Sequence, residues 1–447
     1  MPPRWIQKCA QRVPVNLTRW PHIKSAPILL QSHNIHTSHR AWRIRPAPHS
    51  QLKQTLRRSI RQQSCTLFTD AIPPVMMPPL IFTGLLLSLW AWKCFWIVVM
   101  QEKLLYLTWL PPFARSEKIA DYEGECRPVR WEEHQIRSRD GTKLAVCEGH
   151  VPPKKHGLLV SRGDEQSGNQ SRRKLVIICY FQGNGGSTPM RLPLLSQILR
   201  AIHAAPASSP EEIAYIMVAL SYRGFWTSSG RPTQRGIELD TQAFLDWVAE
   251  SYGAPDTDLQ VILWGHSLGS AIATTGLATY LARPHDNGPA ASIAGVILEA
   301  PSSSVKDMLI SLYPQKWLPY RYLWPFLRSH WDSILAMERM ARWRDEGEVG
   351  SSGLGNDDGS VMLPSRASLP PILILSAEND EVIPPHAADD LEQVGRRLGL
   401  SVTRKHVAGA LHTEAPVKAD GKKTMVDFIC QCTLSGTASE GKVRPKW

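Results

Sequence analysis

Short apolar segments alternate with amphipathic ones along most of the chain after residue 130. The amphipathic segment Ile237–Val248 carries Ile237, Phe244, Leu245 and Val248 on one helical face. The apolar segments resemble strands that are buried on both faces of a parallel sheet. They are Leu175–Phe181, Ile216–Ser221, Val261–Trp264, Ala294–Glu299 and Pro371–Leu375. This alternation predicts an α/β fold with a mostly parallel sheet and a site at the carboxyl ends of its strands.

Polar and glycine-rich segments separate these elements. Asp140-Gly141 lies between the extended runs Glu133–Arg139 and Lys143–His150, which predicts a β-hairpin. Residues 151–173 are rich in Pro, Lys, Ser and Gly and indicate a surface insertion. Asp345–Ser368 is rich in Gly, Ser and Asp, which predicts a mobile loop.

A long apolar segment, Pro79–Met100, precedes the alternating region. Its length matches a helix that crosses a bilayer, and its tryptophans suit the interfacial zone. Lys93 is the one charge within it, and its long side chain could extend toward the membrane surface. We therefore predict a single transmembrane anchor at residues 79–100, with a buried or interfacial amphipathic helix as the alternative.

The positive net charge of +11 lies in the N-terminal leader. Residues 1–70 contain twelve Lys and Arg against one acid, and basic and acidic residues balance in the rest of the chain. The chain after residue 70 has no net positive charge to attract phosphates, so we expect no nucleic-acid partner. We predict that residues 1–75 form a basic, disordered leader. A mitochondrial transit peptide, or a translation start at Met76 or Met77, are the alternatives.

The basic leader also bears on topology and compartment. Positive charges before a membrane span favour a cytosolic N-terminus, which would place the following domain in a lumen or outside the cell. We expect a single-pass membrane protein of the endomembrane system, the endoplasmic reticulum first, with the mitochondrion as the alternative. The eight cysteines show no metal-binding spacing, although an oxidising lumen could pair some of them.

A Gly-x-Ser-x-Gly motif directly follows the apolar run Leu259–Trp264. Gly265-His266-Ser267-Leu268-Gly269 leads into small, helix-compatible residues. In a strand-to-helix turn of this kind the serine stands on a strained corner, and glycines permit close backbone approach. The motif and its context predict Ser267 as a catalytic nucleophile, against a structural turn serine.

A serine nucleophile needs a base, and the base needs an acid to orient it. Asp380 follows the strand Pro371–Ser376 and is the predicted acid, with His412, in the small-residue loop after Ser401–His406, as the predicted base. The competing acids are Glu378, Glu381, Asp389 and Asp390, and the competing base is His406.

Acyl transfer also needs donors for the developing oxyanion. One should be the backbone N–H of Leu268, next to the serine. The second should come from the loop after Leu175–Ile178, where Tyr180-Phe181-Gln182-Gly183-Asn184-Gly185-Gly186 offers the backbone N–H of Asn184. A plain tight turn is the structural alternative for this loop.

Taken together, these motifs resemble the α/β-hydrolase superfamily, and more narrowly its membrane-anchored ABHD branch. The matching segments are Gln182–Gly186, Ser221–Phe225 with Ser228–Thr233, Gly265–Gly269, Glu378–Pro384 and Leu411-His412, within residues 76–432. The resemblance implies an eight-stranded sheet with helices on both faces, a triad of Ser267, Asp380 and His412, and hydrolysis of esters or thioesters. Gln182, where a histidine is usual, and the bulky pair Phe225-Trp226 depart from the pattern.

We thus expect an α/β-hydrolase domain at residues 120–432 and a tail at 433–447. Residues 301–343 are aromatic-rich and sit where a small cap would lie, although core packing would also explain the aromatics. The predicted function is a membrane-anchored serine hydrolase that cleaves carboxylic esters of lipids, such as lysophospholipids or monoacylglycerols. A protein S-acyl thioesterase and a weakly active or inactive binding protein of the same fold stay open. The chemistry requires no metal and no cofactor.

Overall fold

An eight-stranded sheet organises the protein. The computed structural model describes residues 73–152, 173–206, 213–283, 291–352 and 369–435. The strand order is β1-β2-β4-β3-β5-β6-β7-β8, with β2 antiparallel to both neighbours and the remaining pairs parallel. The strands are β1 (Arg130–Arg137), β2 (Lys143–His150), β3 (Arg173–Phe181), β4 (Ile213–Ser221), β5 (Thr257–His266), β6 (Ser292–Glu299), β7 (Ile372–Ala377) and β8 (Val402–Val407). The predicted α/β fold with a mostly parallel sheet is confirmed.

Ten helices accompany the sheet in the described residues. They are α1 (Met77–Val99), α2 (Gln101–Tyr106), α3 (Glu123–Cys126), α4 (Leu192–Ala204), α5 (Gln234–Tyr252), α6 (Leu268–Ala282), α7 (Val305–Leu312), α8 (Ser333–Ser352), α9 (His386–Arg397) and α10 (Ala419–Ser435).

Successive side chains of the central strands belong alternately to two separate hydrophobic cores. On β3, Ile177 and Cys179 join the core that contacts α5, α6, α8 and α9, whereas Val176 and Ile178 join the core that contacts α4 and α10. The apolar face predicted within α5, from Ile237 to Val248, is buried in the first core. Because strand side chains alternate between the two faces, the sheet is covered by helices on both sides.

The hairpin between β1 and β2 has a longer loop than predicted. The first strand ends at Arg137, and the Ser138 N–H donates to the Thr142 carbonyl at 2.8 Å. Gly141 adopts φ +85° inside this loop, a conformation that glycine tolerates. The buried Arg223 guanidinium contacts Asp140 of the loop at 2.7 Å and Asp240 of α5 at 2.7 Å. This bridge holds the loop against α5 and places the Ser-Tyr-Arg-Gly motif in a structural role.

The chain divides into two compact units between Leu89 and Trp90. In the first unit, the described residues form a short 3-10 turn, Pro74–Met76, and the first half of α1. Pro74–Val99 is long and apolar enough to cross a membrane by length and composition, and none of its most apolar window is buried. The predicted anchor, Pro79–Met100, coincides with this helix within a few residues. The leader, apart from its last three residues, lies outside the described residues.

The second unit carries the sheet and the segment between β6 and β7, which is the predicted cap. This cap contains α7, two 3-10 turns, Pro319–Tyr322 and Trp324–Phe326, and the start of α8. Helix α8 continues to Ser352, so residues 345–352 are helical where composition predicted a loop. Asp345, Glu346 and Glu348 in the first half of that stretch tolerate a helix, and glycine and serine dominate only from Gly350 onward. Residues 353–368 of the predicted loop, most of the predicted insertion and residues 436–447 of the predicted tail lie outside the described residues.

Candidate active site

Ser267 lies at a strained corner between β5 and α6. Its backbone has φ 53° and ψ −120°, a conformation that is costly for a residue with a side chain. The Ser267 N–H donates to the Glu299 carbonyl at the end of β6, at 2.8 Å. The Ser270 hydroxyl donates to the Gly265 carbonyl at 2.7 Å and thereby ties the start of α6 back to the strand. These bonds hold the corner in a conformation that an isolated chain would avoid.

The glycines on either side of this corner leave no space for a side chain. A Cβ on Gly265 would collide with the backbone of Gly269 and Ser270. A Cβ on Gly269 would collide with the carbonyl oxygen of Phe181, the last residue of β3. The Gly-x-Ser-x-Gly pattern therefore permits β5, α6 and the end of β3 to meet at van der Waals distance.

Asp380 and His412 meet beside the ends of β7 and β8. The His412 Nδ1 atom lies 2.9 Å from Asp380 Oδ2 and 3.0 Å from Oδ1. Asp380 Oδ1 also accepts the backbone N–H groups of Val382 at 2.9 Å and Ile383 at 2.8 Å, which fixes the carboxylate. Both side chains are buried or nearly so. The carboxylate thus favours the imidazole tautomer that carries a proton on Nδ1 and leaves Nε2 as the acceptor.

The competing acids have other partners. Glu378 accepts the Gly409 N–H at 2.8 Å and Glu381 accepts the His412 N–H at 3.1 Å, while the Asn379 N–H donates to the Ala410 carbonyl at 2.9 Å. These bonds join the loop of Asp380 to the loop of His412, two of them through a carboxylate and one through the backbone of both loops. The sequence does not predict these hydrogen bonds, because they depend on the register between two loops that are distant in the chain.

Two further competitors, Asp389 and His406, contact other groups. Asp389 forms an ion pair with Arg404, and His406 Nδ1 lies 3.2 Å from the Ser376 hydroxyl. The His412 ring lies against the corner that bears Ser267, since its centroid is 5.1 Å from that of His266. The structure therefore brings the Asp380–His412 pair next to the predicted nucleophile.

Leu268 and the loop that holds Asn184 flank the same corner. Leu268 is the first residue of α6, where backbone N–H groups have no acceptor within the helix. The Asn184 side chain is exposed, and the loop approaches the corner at Gly183, where a Cβ would lie 3.3 Å from the Ser267 Cβ. Both predicted donors thus belong to segments that border Ser267.

The end of α2 holds the Asn184 loop, a contact that the sequence does not predict. The Gly185 N–H donates to the Tyr106 carbonyl at 2.9 Å, and the Gly186 N–H donates to the Leu110 carbonyl at 2.7 Å. Gly185 and Gly186 adopt φ +68° and +75°, so glycine is needed at both positions. The end of α2 therefore supports the loop through main-chain bonds, which leave no signature in the side chains.

A buried polar cluster lies behind the corner. The Trp264 Nε1–H donates to Glu299 Oε2 at 2.9 Å, and His266 Nε2 lies 3.8 Å from Glu299 Oε1. Burial raises the pKa of Glu299 to about 8, and burial lowers the pKa of His266 well below its usual value. Within the described residues, neither ring nitrogen of His266 nor Gln182 Nε2 has a hydrogen-bond partner. Burial thus favours the uncharged form of both the glutamic acid and the imidazole.

The two departures from the family pattern are accommodated in the interior. The Gln182 side chain is buried and accepts a hydrogen bond from the Thr188 hydroxyl at 3.3 Å. Phe225 and Trp226 are buried in the two cores, and the Trp226 indole N–H donates to the Glu117 carbonyl at 2.8 Å. The extra bulk therefore packs into the domain.

Comparisons with known proteins agree with this architecture. Protein bem46 of Schizosaccharomyces pombe is 24% identical over 285 residues, which cover 64% of this chain and 71% of that protein. The alpha/beta hydrolase domain-containing protein WAV2 of Arabidopsis thaliana is 26% identical over 65% of this chain and 73% of that protein. Lysophosphatidylserine lipase ABHD12 of Xenopus tropicalis is 30% identical over 224 residues. These residues cover 49% of this chain and only 46% of that protein. These relatives confirm the resemblance to the ABHD branch.

The sequence model of the alpha/beta hydrolase family matches residues 187–417, which include Ser267, Asp380 and His412. The sheet order, the strained corner and the match to more than half of the chain together show that this protein belongs to the alpha/beta hydrolase family.

Proposed function

We propose that this protein is a membrane-anchored serine hydrolase that cleaves carboxylic esters of lipids. The observation that carries the proposal is the buried contact between His412 Nδ1 and Asp380, set beside a serine on a strained strand-to-helix corner. Such a serine is activated when a neighbouring imidazole accepts its proton.

In the proposed reaction the Ser267 Oγ attacks the ester carbonyl carbon while its proton passes to His412 Nε2. Asp380 orients the ring and stabilises its positive charge. The backbone N–H groups of Leu268 and Asn184 donate to the oxyanion. Collapse of the tetrahedral intermediate breaks the ester C–O bond, and the departing alcohol takes the proton from His412. Water, deprotonated by His412, then attacks the acyl-serine, releases the fatty acid and restores the Ser267 hydroxyl.

A lipid substrate is favoured by the helix α1 and by one relative. ABHD12 carries the name lysophosphatidylserine lipase, and this chain matches about half of its length. Lysophospholipids and monoacylglycerols are the substrates we propose first. A protein S-acyl thioester would use the same attack and expel a thiol, so a substrate panel decides between the two classes.

Labelling with a fluorophosphonate probe tests the nucleophile. The full-length protein should be labelled, Ser267→Ala should not, and Ser251→Ala, which changes an exposed serine of α5, should be labelled like the wild type. Equal labelling of Ser267→Ala would overturn the assignment. No labelling of a folded wild-type protein would favour a binding role for the fold. Cleavage of acylated proteins without lipid hydrolysis would replace the lipid esterase by a thioesterase.

Membrane attachment and compartment are proposed from α1 and from the basic leader. We propose that α1 spans the membrane of the endoplasmic reticulum once, with the hydrolase domain in the lumen. In sealed microsomes the domain should resist added protease until detergent opens the vesicles. Digestion without detergent would contradict the luminal topology, and release of the full chain by alkaline carbonate would contradict the span itself.

A further inference from the structure

Four large aromatic side chains of the cap point into solvent. They form the cap belt, and their exposed fractions are 67% for Trp317, 54% for Tyr322, 43% for Trp324 and 61% for Phe326. Other aromatics of the same segment, Tyr320 and Trp331, are buried, so core packing accounts for only part of this composition. Exposed apolar groups gathered on one segment mark an interaction surface.

The cap belt is joined to the C-terminal part of α1 within the second unit. The Trp90 and Trp317 rings lie 5.9 Å apart. The Gln101 side chain donates to the Phe326 carbonyl at 3.1 Å and accepts the Arg328 N–H at 2.7 Å. Trp317 and Phe326 of the belt therefore lie along the C-terminal half of α1, from Trp90 to Gln101 just beyond the helix end.

Lys93 forms part of the same junction. Its ammonium group lies 4.3 Å from the centroid of the Tyr320 ring and 5.8 Å from that of Tyr313. The sequence predicted that this lysine extends toward the membrane surface, whereas the structure directs it to aromatic rings of the cap. A cation over an aromatic face is attracted most strongly where water is scarce, so the one charge in the apolar segment has a partner that suits a membrane boundary.

The charges around the belt are predominantly positive. Residues 305–331 contain four Lys and Arg and a single acid, Asp307. Asp307 accepts hydrogen bonds from the Ser303 and Ser304 hydroxyls. Lys306 lies 4.5 Å above the Trp324 ring and Arg321 lies 5.7 Å from the Tyr322 ring. Aromatic rings flanked by cations match the boundary between phosphate-bearing headgroups and acyl chains.

We propose that the cap belt inserts into the headgroup–acyl boundary of the bilayer at which α1 ends. The proposal rests on the membrane anchoring proposed above and extends it from the helix to the hydrolase domain. The cap follows β6, whose last residue binds the Ser267 N–H, and so begins at the edge of the sheet where the catalytic groups lie. A lipid that leaves that leaflet toward the catalytic groups would contact the cap before it reached the aqueous phase.

A second set of bonds connects the cap to the loop that holds Asn184. The Tyr106 hydroxyl bonds Ser329 and Trp331, each at 3.0 Å, while the Tyr106 carbonyl accepts the Gly185 N–H. The residues that follow the belt in the chain are therefore joined through Tyr106 to the oxyanion loop. A cap seated on the bilayer would keep this loop at a constant position relative to the lipid surface.

Photocrosslinking tests the location of the belt directly. The full-length protein is reconstituted in vesicles of phosphatidylcholine and phosphatidylserine, with p-benzoylphenylalanine in place of Phe326 or Trp317. Both positions should crosslink to lipid. The control position is Asp256, which is exposed and precedes β5 at the end opposite Ser267, and it should not crosslink. Equal lipid crosslinking at Asp256 and Phe326, or crosslinks at Phe326 to protein alone, would overturn the proposal.

An activity measurement separates this proposal from the proposed function. For the double variant Trp317→Ser, Phe326→Ser we expect about tenfold slower hydrolysis of a lysophospholipid presented in these vesicles, equivalent to about 1.4 kcal/mol. Hydrolysis of a short soluble ester should be unchanged, which also shows that the variant is folded. Equal loss on both substrates would contradict the bilayer role. If Ser267→Ala loses both activities and the belt variant matches the wild type on both substrates, the serine-hydrolase proposal stands. The proposed membrane role of the cap belt is then rejected.

Discussion

The Nδ1 atom of His412 lies within 3.0 Å of both carboxylate oxygens of Asp380, although 32 residues separate them in the chain. The two loops that carry them follow adjacent parallel strands and are joined by backbone bonds such as Asn379 N–H to the Ala410 carbonyl. The pair is therefore held in place before any substrate arrives, as electrostatic catalysis requires.

Removal of the negative charge at Asp380 should abolish most of the activity and leave the fold intact. For Asp380→Asn we expect kcat to fall by about 10⁴-fold, because an amide that donates to Nδ1 stabilises the wrong imidazole tautomer. The measurement is steady-state hydrolysis of a soluble ester. Asp389→Asn, at a side chain that pairs with Arg404 on the surface, is the control and should retain activity. Full activity in Asp380→Asn would contradict the assigned acid.

The backbone N–H of Asn184 can be tested apart from its side chain. Asn184→Ala keeps the N–H and should have nearly wild-type kinetics, since the side chain is exposed. Asn184→Pro removes the N–H, so we expect kcat to fall by about 10²- to 10³-fold, the usual loss for one oxyanion donor. Thermal unfolding of both variants checks that the loop stays folded. A proline variant that unfolds like the wild type and keeps its kcat would exclude Asn184 from the oxyanion hole.

A methyl group at Gly269 should strain the corner that presents Ser267. The added Cβ would collide with the Phe181 carbonyl oxygen, and overpacking of this kind costs about 1–3 kcal/mol. We expect Gly269→Ala to lower the free energy of unfolding by at least that amount in denaturant titrations. Gly124→Ala is the matched control, because a Cβ at this helical position has no neighbour within 4 Å. Equal stability of the two variants would show that the corner is not closely packed.

The buried acid at Glu299 should make stability decline as the pH rises. The pKa of this carboxyl is raised to about 8 in the folded protein from an unfolded value of 4.5, so the folded state retains a proton that the unfolded state releases. The stabilisation by the neutral acid is complete below pH 4.5 and is lost progressively as the pH passes through about 8.

Glu299→Gln should remove this contribution. The amide oxygen can still accept the Trp264 indole N–H, and the side chain no longer ionises. Denaturant unfolding at pH 5, 7 and 8 should give a flatter pH profile for the variant than for the wild type, and the variant should be the more stable protein at pH 8. The exposed control Glu250→Gln should follow the wild-type profile. A wild-type profile that rises between pH 5 and 8 and is unchanged by Glu299→Gln would contradict the raised pKa.

The order of motifs in the chain was sufficient to predict Ser267, Asp380 and His412 as candidates. Local composition also predicted the strands, because a strand buried on both faces must be apolar throughout and a strand-to-helix corner with close backbone approach must have glycines. Strand ends were shifted by a few residues, and α8 extended to Ser352 into a segment predicted to be a loop. Boundaries depend on hydrogen bonds to residues elsewhere in the chain, which composition does not encode.

Hydrophobic periodicity and side-chain type are enough to predict the fold class, the apolar segment Pro79–Met100 and the residues able to carry the chemistry. The packed structure adds which acid meets His412, that Tyr106 supports the Asn184 loop through its carbonyl, and that Lys93 lies over Tyr320. It also decided which cap aromatics are buried and which are exposed. These features depend on distances between groups far apart in the chain, and only the packed strands and helices bring such groups together.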